Sequence, residues 1–170
     1  KLNITKTVVD ALKERGLLTI ETEQEFRNPI RAIALEQKDI PLIYTEEQQN
    51  AIHCFCRDYE AGIKGTYLVH GVTGSGKTEV YIEMIRKVVE DGRQAIVLIP
   101  EIALTYQTVM RFYRKFGERV SILNSRMSAG ERFDQMERAK KGELDVMIGP
   151  RSALFTPFSA LGLIVIDEEH

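Results

Sequence analysis

Apolar residues recur along this chain in two alternating rhythms. Val8, Val9, Ala11, Leu12 and Leu17 fall at helical spacing, and Gly16 stands where such a helix ends. Leu18 to Phe26 then alternates like a short exposed strand and is closed by Asn28-Pro29. Arg27 to Leu42 reads as a linker with Pro41 near its end. Thr45-Glu-Glu-Gln48 has the form of a capping box, with Thr45 as N-cap and Gln48 three residues on. The helix it opens should reach about Tyr59, with Gly62 and Gly65 to stop it.

Beyond that point one theme repeats. Tyr67-Leu-Val-His70 is a short apolar run that leads into glycines. Val80, Tyr81, Met84, Ile85, Val88 and Val89 mark an amphipathic helix. Ala95–Ile99 is a strand bounded by Pro100, and Val109, Phe112, Tyr113 and Phe116 mark the next helix. Val120–Leu123 is a further strand, and Ser128-Ala-Gly-Glu131 caps a helix through Lys141. Val146–Ile148 and Leu163–Ile166 complete the set. Strands that are apolar throughout are buried on both faces, and their alternation with helices predicts an α/β fold built on a parallel sheet.

Composition narrows the function. Of 170 residues, 44% are hydrophobic, enough for one compact domain with a small appendage. With 23 basic and 25 acidic residues the formal net charge is −2, which excludes a strongly basic, histone-like binder. Any nucleic-acid contact must come from local patches. No apolar run approaches the roughly 18 residues of a membrane span, and residues 1–15 have no signal-peptide pattern. Cys54 and Cys56, spaced C-x-C on a helix, point to different faces, so reduced thiols are expected rather than a disulfide or a zinc set.

The chemistry concentrates at Gly71-Val72-Thr73-Gly74-Ser75-Gly76-Lys77-Thr78, which fits G-x-x-x-x-G-K-[ST] between an expected strand and an expected helix. Gly71, Gly74 and Gly76 permit backbone conformations that a β-carbon blocks. Successive N–H groups can then wrap phosphates at the positive end of the following helix. Lys77 is placed to reach the β- and γ-phosphates, and the Thr78 hydroxyl to ligate magnesium. Leu163–Ile166 ends in Asp167 and Glu168, which places two acids at the carboxyl edge of the sheet. Asp167 suits the magnesium ion, and Glu168 suits orienting and deprotonating a water. Tandem acids fit hydrolysis better than transfer to an acceptor substrate.

Asp167-Glu168-Glu169-His170 resembles the D-E-x-H box of superfamily 2 helicases. His70–Tyr81, Pro100–Thr105, Arg151–Pro157 and Val165–His170, in that order, resemble the primosomal protein N′ family of bacterial replication-restart DNA helicases. The resemblance covers residues 44–170 strongly and 1–43 loosely. It implies a RecA-like first helicase lobe, incomplete, over residues 41–170, preceded by the end of a winged-helix-like module and linker over 1–40. It implies a DNA-dependent ATPase and 3′→5′ helicase that restarts stalled forks, with ATP and magnesium as cofactors and forked or single-stranded DNA as partner. Single-strand DNA-binding protein and other primosome proteins are further implied partners, with a cytoplasmic, nucleoid-associated location.

By the same resemblance Gln48 reads adenine, Thr105 and Gln107 touch one stretch of DNA backbone, and Arg151 and Ser152 touch another. His170 couples nucleotide state to the DNA surface. Tyr106 stands where the family has Pro, and Pro150 where it has Thr, so contacts beside Arg151 depart from the pattern. Arg111, Arg114, Lys115 and Arg119 read as a solvated basic face rather than a DNA contact. Residues 1–40 hold seven basic and seven acidic side chains and no basic stripe. The second lobe with its arginine fingers, the zinc cysteines and one strand between the phosphate-loop and acidic-box strands are expected beyond His170. Residues 1–170 alone are therefore expected to hydrolyse ATP negligibly. Two alternatives stay open: a related RNA helicase or duplex translocase, and a catalytically inert nucleotide-binding docking module.

Overall fold

The computed structural model describes residues 8, 12, 13, 15–17 and 43–167. The expected strand at 18–26, the linker at 27–42, and Glu168, Glu169 and His170 lie outside the described residues.

Four helices and four strands follow: α1 (Glu46–Glu60), α2 (Lys77–Glu90), β1 (Gln94–Leu98), α3 (Tyr106–Phe116), β2 (Val120–Ile122), α4 (Ala129–Lys140), β3 (Val146–Gly149) and β4 (Leu161–Ile166). Single 3₁₀ turns occupy Gly117–Arg119 and Arg151–Phe155. The strands form one sheet in the order β2-β3-β1-β4, and every pairing is parallel. The expected α/β class and parallel sheet are therefore present.

Local chemistry explains the helix ends. Thr45 and Ser128 each accept from the backbone three residues on, while Gln48 and Glu131 bond back to the cap N–H. Each such cap contributes about 1 kcal/mol. At the other end, Gly62, Gly92 and Gly142 carry positive φ. The N–H of Gly62 donates to Tyr59 O and that of Ile63 to Asp58 O, a pairing repeated after α2 and α4. The same pair of bonds surrounds Gly16. Gly65, expected to share in stopping α1, lies beyond this closure and takes no part in it.

Alternate strand residues feed two cores. Ala95, Val97, Ile99, Val120, Ile122, Val146 and Ile148 face α2 and α3, meeting Tyr81, Ile85, Val109 and Phe112. Ile96 and Met147 face the other way, onto Ala139, Leu144 and Ala153. Helix α2 is buried on two sides, since Val80, Met84 and Val88 also meet Phe55 of α1. Ser121 is buried too, but donates to Gln135 Oε1 at 2.8 Å, which also accepts from Arg138.

Two expectations fail at one edge. Tyr67–His70 forms no strand: residues 63–72 belong to neither helix nor sheet. A strand exists through its cross-strand bonds, and among the described residues the free edge of the outermost strand β4 is not paired by this run. Val69 instead rests against the α1–α2 core. Nor is β4 buried on both faces as an apolar run predicts. Leu163 and Val165 reach the α2 side, whereas Ile164 and Ile166 are exposed.

Candidate nucleotide site at the carboxyl edge

Because all four strands run parallel, the segments that follow them gather at one edge. The Gly71–Thr78 loop joins them there, because α2 begins at that edge and runs back to feed β1. Gly74 and Gly76 have φ of 80°, as the motif requires. Gly71 differs from the expectation. Its φ is not positive, and its lack of a side chain serves close approach: a β-carbon would lie 2.6 Å from Ser75 Oγ.

Gly76 is the N-cap of α2 and supplies no side-chain cap. The first N–H groups of the helix therefore remain for an anion, at the positive end of its dipole. Lys77 bends into the loop, its Nζ donating to Gly71 O at 2.8 Å and Val72 O at 3.0 Å. Val72, Thr73 and Gly74 are exposed at the mouth of the loop.

Gln48 joins α1 to this loop. Its Oε1 accepts from Thr45 N–H at 2.9 Å, and its Nε2 donates to Ser75 O at 2.8 Å. The capping role is thus present, and the same amide also fastens the loop. A β-carbon on Gly76 would lie 2.5 Å from Gln48 Nε2.

Asp167 follows β4 directly. Its N–H donates to Leu98 O at 2.9 Å, which fixes its backbone beside the end of β1. Its Oδ2 accepts from the Tyr81 hydroxyl at 2.8 Å. Tyr81 lies one helical turn after Thr78, and burial pushes its phenol well above the usual tyrosine range. Through Tyr81 the acid after β4 is tied to the helix that carries Thr78. A hydroxyl and a carboxylate are both hard oxygen donors, the set that a magnesium ion takes, so the residues fit that cofactor.

Thr105, Gln107, Arg151 and Ser152 are all exposed: Thr105 ends the loop after β1, Gln107 lies in the first turn of α3, and Arg151 and Ser152 open the 3₁₀ turn after β3. Thr105 also caps α3, accepting from Thr108 N–H. Because β1 and β3 are neighbours, those segments adjoin. Ile102 and Tyr106 project beside them, 92% and 57% exposed.

The basic face of α3 is held within the chain. Arg111 pairs with Glu79 at 3.5 Å, Lys115 with Glu83 at 2.7 Å, and Arg119 with Asp145 at 2.6 Å. Cys54 and Cys56 are free thiols, and burial raises the second. Among the described residues no cluster of His, Cys, Asp and Glu suits a metal ion, and no helix is long and apolar enough to cross a membrane.

Two residues went unassigned in the sequence. Glu101 accepts from Ser125 N–H at 2.6 Å and from its hydroxyl at 2.8 Å, tying the loop after β1 to the loop after β2. An acid shortly after a core strand was its signal, as for Asp167, although Glu101 stands three residues past β1 and Asp167 directly follows β4. Tyr81 has a weaker one: a phenol placed three residues after the phosphate-loop threonine, inside an otherwise aliphatic stripe.

The family model for DEAD/DEAH box helicases matches residues 45–170. The chain is 40% identical over 170 residues to the replication restart protein PriA of Bacillus subtilis (strain 168), covering 100% of this chain and 21% of that protein. It is 38% identical over 170 residues to PriA of Chlamydia muridarum, covering 100% of this chain and 22% of the relative. Against PriA of Chlamydia pneumoniae the identity is 44% over 175 residues, covering 98% of this chain and 22% of the relative. The chain spans about a fifth of the length of these curated relatives. With its RecA-like parallel sheet and a phosphate loop facing an acidic strand end, the chain belongs to the DEAD/DEAH box helicase family.

Proposed function

We propose that this chain is the ATP-binding first lobe of a DNA-dependent ATPase and 3′→5′ DNA helicase that acts in replication restart. One observation carries the reading: Tyr81, in the helix that a G-x-x-x-x-G-K-[ST] loop opens, holds the acid after β4 at the sheet's carboxyl edge.

ATP with magnesium supplies the phosphoanhydride bond and the charge neutralisation. Lys77 exchanges its two loop carbonyls for β- and γ-phosphate oxygens, and the N–H groups at the start of α2 hold the same phosphates. Thr78 and Asp167 hold the magnesium ion. Glu168 orients a water in line with the γ-phosphoryl group and takes its proton, so ADP and inorganic phosphate leave. Gln48, already seated on the loop, reads adenine through its amide. Thr105, Gln107, Arg151 and Ser152 grip phosphates of one DNA strand, and their exposure on the segments that follow neighbouring β1 and β3 supports that role. His170 links the acidic box to this DNA surface.

The relatives named for replication restart extend the reading to stalled forks, single-strand DNA-binding protein and other primosome proteins as partners, and a cytoplasmic, nucleoid-associated setting. Zinc belongs to parts of the whole protein outside these residues.

Strand displacement by the whole protein tests this. A fork with a 3′-tailed entry strand should be unwound with ATP and magnesium. Lys77→Ala should lower unwinding at least a hundredfold while leaving the protein folded. Equal unwinding by wild type and Lys77→Ala contradicts the proposal.

A further inference from the structure

Tyr81 is an unusual residue for its place. It sits on the inner face of α2 among Ile82, Ile85, Val97 and Phe112, and only 5% of its surface is exposed. Its ring stacks on Phe112 with centroids 6.1 Å apart and planes 26° apart. An aliphatic residue would fill that space without a polar atom to satisfy. The hydroxyl emerges at the sheet's carboxyl edge, where it donates to Asp167 Oδ2 at 2.8 Å.

Asp167 needs such a partner. It follows β4, an edge strand whose Ile164 and Ile166 are exposed, so the strand confers little packing on it. Its backbone is held by Leu98 O, and among the described residues Tyr81 is the side chain that holds its carboxylate. The phenol is anchored in the core by its ring, so its oxygen is a fixed point. A carboxylate bonded to it through Oδ2 keeps one rotamer and leaves Oδ1 for a cation or a cation-bound water.

We propose that Tyr81 is a positioning residue for magnesium: it holds the Asp167 carboxylate in place, one helical turn from Thr78, before the metal–nucleotide complex arrives. This rests on the reading of Thr78 and Asp167 as the magnesium-holding pair.

The test is a magnesium titration of fluorescent mant-ATP binding to the whole protein, compared among wild type, Tyr81→Phe, Asp167→Asn and the double variant. Phenylalanine keeps the ring and its contact with Phe112. Tyr81→Phe should raise the half-saturating magnesium concentration about tenfold, the size expected when a metal-holding group loses its hydrogen-bond partner. Its mant-ATP affinity in EDTA should match wild type, which a merely structural role would not spare. In the Asp167→Asn background the Phe substitution should add nothing, because it acts through that carboxylate. An unchanged magnesium requirement in Tyr81→Phe overturns the proposal, as does an equal loss with and without magnesium, or an additive effect in the double variant. If wild-type binding itself ignores magnesium and Asp167→Asn changes nothing, the reading of the pair fails first and takes this proposal with it.

Discussion

Gly76 is the position where backbone freedom and a side-chain contact meet. Its φ of 80° is costly for any residue with a β-carbon, by about 1–2 kcal/mol. The added methyl would also displace the Gln48 amide, whose Nε2 would stand 2.5 Å away. Gly76→Ala should therefore lower stability and detach Gln48 from Ser75 O, weakening nucleotide binding. In a Gln48→Ala background the steric part should vanish and only the φ strain remain, so the two substitutions should be less than additive in thermal unfolding. Full additivity would show that the amide and the loop do not touch. The loop itself was legible in the sequence, because glycine and lysine at fixed spacing have few other uses. The double engagement of Gln48 was not, because a capping box specifies only partners three residues apart, whereas Ser75 is twenty-seven residues away. Tyr81 and Glu101 were hidden for the same reason: their partners, Asp167 and Ser125, lie far along the chain and become neighbours only through the parallel sheet.

At the level of elements, periodicity located every helix from Thr45 onward, and the capping signals placed two of their starts to the residue. Strands β1, β2 and β3 were equally plain, since they are apolar and buried on both faces. Edge status is what the pattern could not convey. Leu163–Ile166 and Tyr67–His70 read as interior strands, yet the first belongs to an outer strand and the second joins no ladder. Composition records that a run is apolar, while pairing depends on which neighbour is present. Within the interior strands the constraint is steric. A β-carbon on Gly149 at the end of β3 would lie 2.8 Å from Leu123 O, with Leu123 and Ala153 side chains also crowded. Gly149→Ala should cost about 1–3 kcal/mol by overpacking, read as a lowered thermal midpoint. Gly142→Ala meets nothing within 4 Å and should cost only the strain of its φ of 74°. A smaller loss at Gly149 than at Gly142 would contradict the close packing of β3 against the loop after β2.

Across the whole molecule, a net charge of −2 leaves no general attraction for nucleic acid. On α3 Arg111 and Lys115, which could have supplied a patch, are engaged with Glu79 and Glu83, and Arg119 after it with Asp145. What remains is one edge, where the loops after β1 and β3 carry exposed polar and cationic side chains beside the phosphate loop and Asp167. On the proposed reading nucleotide and nucleic acid share this rim, whose loops after β1 and β2 are joined by Glu101. The central claim is that this rim couples ATP hydrolysis to DNA. The most direct test is steady-state ATP hydrolysis by the whole protein, with forked DNA, duplex DNA, single-stranded DNA and RNA, beside a Lys77→Ala control. The expected result is strong stimulation by forked DNA that Lys77→Ala abolishes. Stimulation by RNA alone, or hydrolysis indifferent to every nucleic acid, would contradict it.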